Sequence, residues 1–554
     1  KYTAENIHKN LSTELAPVKD YYLNDHDGAA RRMIVILSIA AVFILLMAVI
    51  NFVNINIGTS SYRLKEIGLR KVFGGDRKQL IVQFIAEAMV LTLMAAILSL
   101  IAYQLLRPVF SQVLNTSLES LFEFSTSAIL YLLVLVFATG FIAGIYPAFV
   151  LSSSQVITAI KGKPETVRGG LTLRKTMLTV QFTLAIIVFV CALTVSGQVN
   201  YIFTKDVGYD KEQILVITVF PKQWDSIGTN KMIDIRNNLM QLPFVKNASL
   251  SFEIPDRKPP GSFEMEPVNK VGRKVLITSG GVDENYAGTF AIKLLRGSCF
   301  DQNGVFIPNQ IVLNESAVKA LGLTMETAVN TQLRTGTATG SPSSLTVAGV
   351  IKDFNYSSLL EPIGPLAFFN VRDAQAYRYL SLKLNTINIT ETVTRIQNKW
   401  KELSPGAPFE YSFMDEKFQS LYRSELQLKK ATTIATMFNL IIVFLGIFGV
   451  VAFTLVKRTK EIAVRKVLGA NVKNIILLFV RDYTWVMLLA NGIAWPLTYL
   501  ITNKWLEQYA YRIKPDISVY LIVCFSVFAA SLLIIAVQSL KAGLANPVKS
   551  LRSE

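Results

Sequence analysis

Lys65-Glu66-Ile67-Gly68-Leu69-Arg70-Lys71-Val72-Phe73-Gly74-Gly75 returns as Lys460-Glu461-Ile462-Ala463-Val464-Arg465-Lys466-Val467-Leu468-Gly469-Ala470, with seven of eleven positions identical at an offset of 395. The other four exchange small for small or apolar for apolar, so the stretch is an internal repeat. Each copy reads as a helix that stops at a glycine suited to a left-handed cap, Gly74 or Gly469, before a new helix capped by Asp76 or Asn471. At about 100° per residue Arg63, Glu66 and Arg70 share one face, while Leu64, Leu69, Val72 and Phe73 spread over the opposite side. Arg458, Glu461 and Arg465 repeat the charged face. Apolar runs flank both copies, which predicts two amphipathic helices lying across a membrane surface.

Composition agrees with a membrane protein. Of 554 residues 51% are hydrophobic and 17% charged, with a mean hydropathy of +0.40, too apolar for a soluble chain of this size. Seven runs reach the roughly 20 apolar residues that a bilayer requires: Met33–Ile57, Phe84–Leu106, Ala128–Leu151, Thr176–Gln198, Ala431–Val456, Val480–Asn503 and Ser518–Leu540. Lys and Arg number 20 in segments 58–83, 152–175, 457–474 and 541–554, against 4 in loops 107–127 and 504–517. By the positive-inside rule the repeated helices face the cytoplasm and residues 1–32 and 199–430 lie outside. The net charge of +17 is therefore assigned to membrane topology and not to nucleic acid.

The external segment 199–430 is long enough for its own core. Its ends read strand, helix, strand twice: Ile214–Phe220, Lys231–Met240, Lys246–Phe252, then Tyr379–Leu384, Glu391–Leu403, Phe409–Met414. Two such units around a Gly-, Ser-, Thr- and Val-rich insert at 265–375 predict a split ferredoxin-like sandwich carrying a β-rich insertion, so the fold class is an α-helical integral membrane protein with an α+β extracytoplasmic domain. The charged stretch Asp415–Lys430 reads as a helical stalk running into the next span.

The domain plan that follows is a remnant of a first extracytoplasmic domain (1–32), a span (33–57), a cytoplasmic coupling helix (58–83), two spans (84–151) and a cytoplasmic linker (152–175). It continues with a span (176–198), the large external domain (199–430), a span (431–456), the second coupling helix (457–479), two spans (480–540) and a cytoplasmic tail (541–554). The chain opens at Lys1 without an initiating methionine, and the second half holds one span more than the first. A missing N-terminal span, the eighth, and an earlier external domain are expected from that symmetry. Gln155–Lys161 and Asn546–Arg552 form a weaker echo of the repeat.

Few catalytic readings survive. His8 and His26 are the only histidines, which leaves no His-based metal or acid–base centre and no Ser–His–Asp or Cys–His set in the external domain. Cys191, Cys299 and Cys524 are too scattered for a disulfide framework. Gly74-Gly75 followed by Arg77-Lys78 lacks the spacing of a phosphate loop, so the chain cannot cradle ATP itself and is not expected to be an enzyme. Glu87 and Asp482, equivalent at the same offset, sit about one turn inside the cytoplasmic ends of two spans. A coupling of span to surface helix is favoured for them over proton relay, with Arg481 as a partner for Asp482.

The duplicated K-E-I-x-x-R-K-V-x-G helix, the large external domain after the first span of the repeat, and Asn546-Pro547-Val548-Lys549-Ser550-Leu551-Arg552 near the end resemble the FtsX-like, MacB-like permeases of ABC transporters. The likeness is to the long, internally duplicated form with two external domains, in which the sandwich and the insert are called porter and sabre. It implies a permease subunit of an exporter or mechanotransmission complex in the bacterial inner membrane, with the large domain in the periplasm. A separate cytoplasmic ATPase, in two copies, would hold ATP and magnesium, leaving this chain with no cofactor. The surface helices would seat it through Arg63, Glu66, Arg70, Lys71, Gly74, Arg458, Glu461, Arg465, Lys466 and Gly469. Further expectations are a dimer or pseudo-dimer, a periplasmic adaptor, and drug, peptide or lipoprotein-type substrates. The alternative is a signalling permease that switches an external partner such as a cell-wall hydrolase without transport.

Overall fold

A backbone inside hydrocarbon has no water to satisfy its polar groups, so long apolar runs become helices and the chain turns only at their ends. The computed structural model describes residues 18–114, 116–152, 168–220, 223–269, 272–302, 305–335 and 343–543, with the side chains of 18–30, 57–65, 68 and 460 among those outside the description. Four helices come first: α1 (Val18–Val72), α2 (Arg77–Leu114), α3 (Thr126–Ser152) and α4 (Arg168–Thr204). The external region follows as β1 (Ile214–Thr218), α5 (Ser226–Met240), β2 (Val245–Ser251), β3 (Gly261–Pro267), β4 (Val275–Val282), β5 (Leu294–Gly297), β6 (Gln310–Asn314), β7 (Gln332–Thr335) and β8 (Ser343–Ile351). Next are β9 (Leu366–Asn370), β10 (Tyr379–Leu384), α6 (Ile389–Leu403), β11 (Glu410–Phe413) and α7 (Met414–Leu421), before the helices α8 (Arg423–Lys457), α9 (Thr459–Val467), α10 (Val472–Leu506) and α11 (Ile517–Gly543). The chain divides into a unit of residues 201–423 with 507–512, and a second unit of 18–200, 424–506 and 513–554, the first also including 1–17, which lie outside the described residues.

In the helical unit seven described helices are long and apolar enough to cross a membrane, and α4 is the most enclosed of them. Its Leu178, Phe182, Ile186 and Val190 pack with Val443, Ile447 and Val450 of α8, Phe479, Val486 and Ala490 of α10, and Val523 and Val527 of α11. Helices α2 and α3 meet through small residues: a Cβ on Gly144 would stand 2.8 Å from the Ala88 Cβ, so glycine there lets the two backbones approach.

Two expectations need correction here. The first copy of the repeat is not a separate surface helix, because α1 runs unbroken from Val18 to Val72 and so continues its span. Only the second copy breaks away, at Arg458, whose backbone leaves helical angles before α9. The stalk expected at Asp415–Lys430 is also two pieces, since α7 stops at Leu421 and α8 begins at Arg423. Residues 1–17 of the first expected domain, most of the linker (153–167) and the end of the tail (544–554) lie outside the described residues, as do both halves of the weaker echo.

In the external unit β11, β1, β10 and β2 form an antiparallel sheet with β1 central. That is the strand order of a split ferredoxin-like fold. Leu215 and Ile217 of β1 and Leu380 and Leu382 of β10 share one buried face with Ile233 and Leu239 of α5 and Ile396 and Trp400 of α6. Helix α5 starts five residues earlier than the periodicity suggests, because the Asp225 carboxylate accepts the Gly228 N–H at 2.8 Å and caps it.

The insert closes on itself. β3 pairs with β4 and β7, β7 with β8, β8 with β6, β6 with β9, and β9 returns to β4. Met265, Ile277, Ile311, Leu313, Leu333 and Val347 fill the barrel, and full closure leaves none of these six strands as an edge. Where β5 pairs antiparallel with β8, Gly297 and Gly349 stand opposite each other, and a Cβ on Gly349 would overlap the Ser298 carbonyl oxygen. Gly349→Ala is therefore expected to destabilise the external unit by about 1–3 kcal/mol. Gly492→Ala, which meets no atom within 4 Å, should be tolerated. Chemical unfolding of the two purified variants, followed by far-ultraviolet circular dichroism, checks the contrast.

Candidate functional site: the repeated helix–turn–helix

Both copies of the repeat end in the same turn. Gly74 and Gly469 take φ of +88° and +90°, a left-handed conformation that glycine adopts without penalty. The Gly75 N–H donates to the Arg70 carbonyl at 2.8 Å and the Gly74 N–H to that of Lys71 at 3.2 Å; Ala470 and Gly469 donate to Arg465 at 2.9 Å and Lys466 at 3.0 Å. This pair of bonds is a Schellman cap, and it satisfies carbonyls the helix leaves orphaned. A second helix then folds back, and Ile67 packs on Leu80 and Phe84. At the same offset Ile462, Ile475 and Phe479 do so in the second copy.

Charge is arranged alike. Arg70 pairs with Glu66 at 2.7 Å and Arg465 with Glu461 at 2.7 Å, both at i, i+4. These pairs are exposed and contribute only about 0.3–0.5 kcal/mol each. Beyond them the copies diverge. In the first, Arg70 donates to Gln83 at 2.8 Å and Gln83 to Glu87 at 3.1 Å. Lys71 turns inward, where its ammonium donates to the Ser152 carbonyl at 2.6 Å at the end of α3; burial, then Arg77, holds it below the usual lysine range. In the second, Arg458 stands 3.3 Å from Asp482 and 4.0 Å from Glu461, and Lys175 stands 4.0 Å from Asp482. Asp482 thus faces Arg458 and Lys175 and not Arg481, because successive residues on a helix point apart. The side chain of Arg63 lies outside the described residues.

The apolar residues at the turn do not bury themselves as the helical wheel suggests. The inward residue is Ile67 or Ile462, while Phe73 is 85% exposed and its counterpart Leu468 is 81% exposed. Leu69, Val72, Val464 and Val467 are exposed beside them. Each turn therefore presents an apolar tip flanked by an Arg–Glu pair. An open cleft of about 340 Å³ lies against the first, between Arg70, Phe73, Asp76 and Gln83. Ile67 and Leu80, thirteen residues apart across a turn, had no periodic signal, although their recurrence at 462 and 475 could have exposed them.

The sequence matches the FtsX-like permease C-terminal family at residues 38–156 and again at 433–546, so each match contains one helix–turn–helix. It matches the MacB-like periplasmic core domain at 176–399. The chain belongs to the FtsX-like permeases. Two solved structures are similar to parts of this permease. One is a permease protein domain from Porphyromonas gingivalis, 12% identical with a TM-score of 0.26, covering 36% of this chain and 90% of that one. The other is the extracellular domain of the noncanonic ABC-type transporter YknZ from Gram-positive bacteria, 15% identical with a TM-score of 0.24, covering 36% and 98%. No curated protein matches the sequence. Membership makes the chain a membrane protein with an extracellular domain and implies a cytoplasmic ATPase partner.

With no atom within 4 Å of a Cβ at Gly74 or Gly469, an alanine there meets only backbone strain, about 1–2 kcal/mol. Gly74→Ala and Gly469→Ala should each speed amide exchange of Gly75 or Ala470 roughly 5- to 30-fold, while asparagine, which tolerates the conformation, costs less. Hydrogen-exchange mass spectrometry of the turn peptides reads this.

Proposed function

We propose that the permease couples ATP hydrolysis by two cytoplasmic ATPase subunits to movement of its extracytoplasmic domain, as the transmembrane subunit of an ABC-type exporter or mechanotransmission complex in the bacterial inner membrane. The supporting observation is that Phe73 and Leu468, equivalent in the repeat, both project from capped turns beside matching Arg–Glu pairs. A face that carries charge for its own fold does not need an exposed phenylalanine at its tip. A partner that covers it gains roughly 1.5–3 kcal/mol from that one side chain, and the guanidinium pairs fix its orientation. Two such tips on one chain match two ATPase subunits, which hold the ATP and magnesium. A rigid cap transmits a push along α1 and α2, or α9 and α10, without dissipating it in a flexible loop. Proteins of this class move drug, peptide or lipoprotein-type substrates outside the membrane, and that substrate class is the one assigned here. On this reading Glu87 and Asp482 tie the span to the turn through Gln83 and Arg458.

The test is co-purification and ATPase stimulation with the cognate ATPase. Phe73→Ala with Leu468→Ala should weaken association about 10- to 100-fold without lowering the melting temperature of the permease. Glu66→Arg with Glu461→Arg should abolish stimulation, and wild-type stimulation in both doubles would refute docking at these turns.

A further inference from the structure

Where α4, α8 and α10 come together, next to the second turn, they leave a cavity of about 40 Å³ lined by Arg174, Lys175, Thr454, Arg458, Asp482 and Tyr483. Helix α4 leads at its other end, Thr204, into the external domain, so Arg174 marks the cytoplasmic end.

Among the described residues the charges around this cavity do not balance: Arg174, Lys175 and Arg458 line it against Asp482. Asp482 is shared between Arg458 at 3.3 Å and Lys175 at 4.0 Å, and Glu461 reaches Arg458 and Arg465. Among the described residues Arg174 donates to the Val450 carbonyl at 3.4 Å, stands over the ring of Phe453 at 5.0 Å and lies near Tyr483. Its Nε is buried with no hydrogen-bond partner among the described residues. Lys457 lies close enough for its charge and that of Arg174 to repel, and among the described residues neither cation has a carboxylate partner. A half-buried guanidinium with an orphaned donor beside a second cation needs an anion, because desolvated charge is costly unless paired. The guanidinium fork suits the two oxygens of a phosphate.

We propose that this cavity binds the phosphate group of an anionic phospholipid of the inner leaflet. The location decides between phosphate sources: basic clefts between spans at the cytoplasmic edge meet lipid headgroups at high local concentration. The volume accommodates about three water-sized groups, enough for phosphate oxygens but not for a nucleotide. Arg458 begins the break between α8 and α9, so a phosphate that draws on Arg458 competes with Asp482 and acts on the second turn alone. The inference does not depend on where an ATPase binds.

The full chain in phosphatidylcholine nanodiscs, titrated with phosphatidylglycerol and read by native mass spectrometry, tests it. Wild-type protein should retain phosphatidylglycerol in preference to phosphatidylcholine. Arg174→Gln should lower that association about five-fold, the equivalent of about 1 kcal/mol per cation, and Arg174→Gln with Lys457→Gln about 25-fold. Arg174→Lys should stay within about two-fold by keeping the charge, which separates loss of the site from misfolding. Lys541→Gln, an equal loss of charge on the exposed cytoplasmic end of α11, should change nothing. Unaltered binding in the double variant, or an equal loss in Lys541→Gln, overturns the site. Displacement of the lipid by millimolar inorganic phosphate overturns its assignment to lipid.

Discussion

The described spans of the helical unit answer to one constraint: a peptide group inside hydrocarbon must find its partner within the chain. Among the described residues seven helices meet it internally, and two of the turns between helices carry their own backbone bonds. At Gly74 and Gly469 the solution is a Schellman cap that returns two N–H groups to carbonyls of the turn it closes. Side-chain amides extend the same economy between helices, as where Gln538 donates to the Phe448 carbonyl at 3.0 Å. The helix–turn–helix can be short and stiff because little of its backbone is left to water.

The two arms of each turn are packed against one another. Ile67 against Leu80 and Phe84, and Ile462 against Ile475 and Phe479, lock the two arms of each turn together. The matched arms are nevertheless wired differently. In the first copy Lys71 fastens the turn to the end of α3, and Gln83 bridges Arg70 to Glu87. In the second, position 478 is leucine where the first has Gln83, and Asp482 is held by Arg458 and Lys175. The first turn therefore ends an unbroken helix, and the second a helix joined at Arg458. The two turns are therefore inequivalent in what holds them.

The external unit solves a different problem, that of exposed strand edges. Its insert closes through two parallel pairings, β6 with β8 and β4 with β9, joined by antiparallel ones. The ferredoxin-like sheet stays open, and α5 and α6 cover one of its faces.

Seven apolar helices of membrane length, the external α+β domain and the existence of the repeat were legible from residues alone, because lipid imposes length patterns that survive without neighbours. The glycine caps were legible for the same reason, since a left-handed φ selects its residue locally. Tertiary structure alone decided which apolar residues of the turn face inward, because Ile67 is chosen by what folds back onto it and not by its own helix. It likewise decided barrel closure and the gathering of Arg174, Lys175 and Arg458. Those depend on contacts between positions up to hundreds of residues apart, and no local pattern in a chain encodes such a distance.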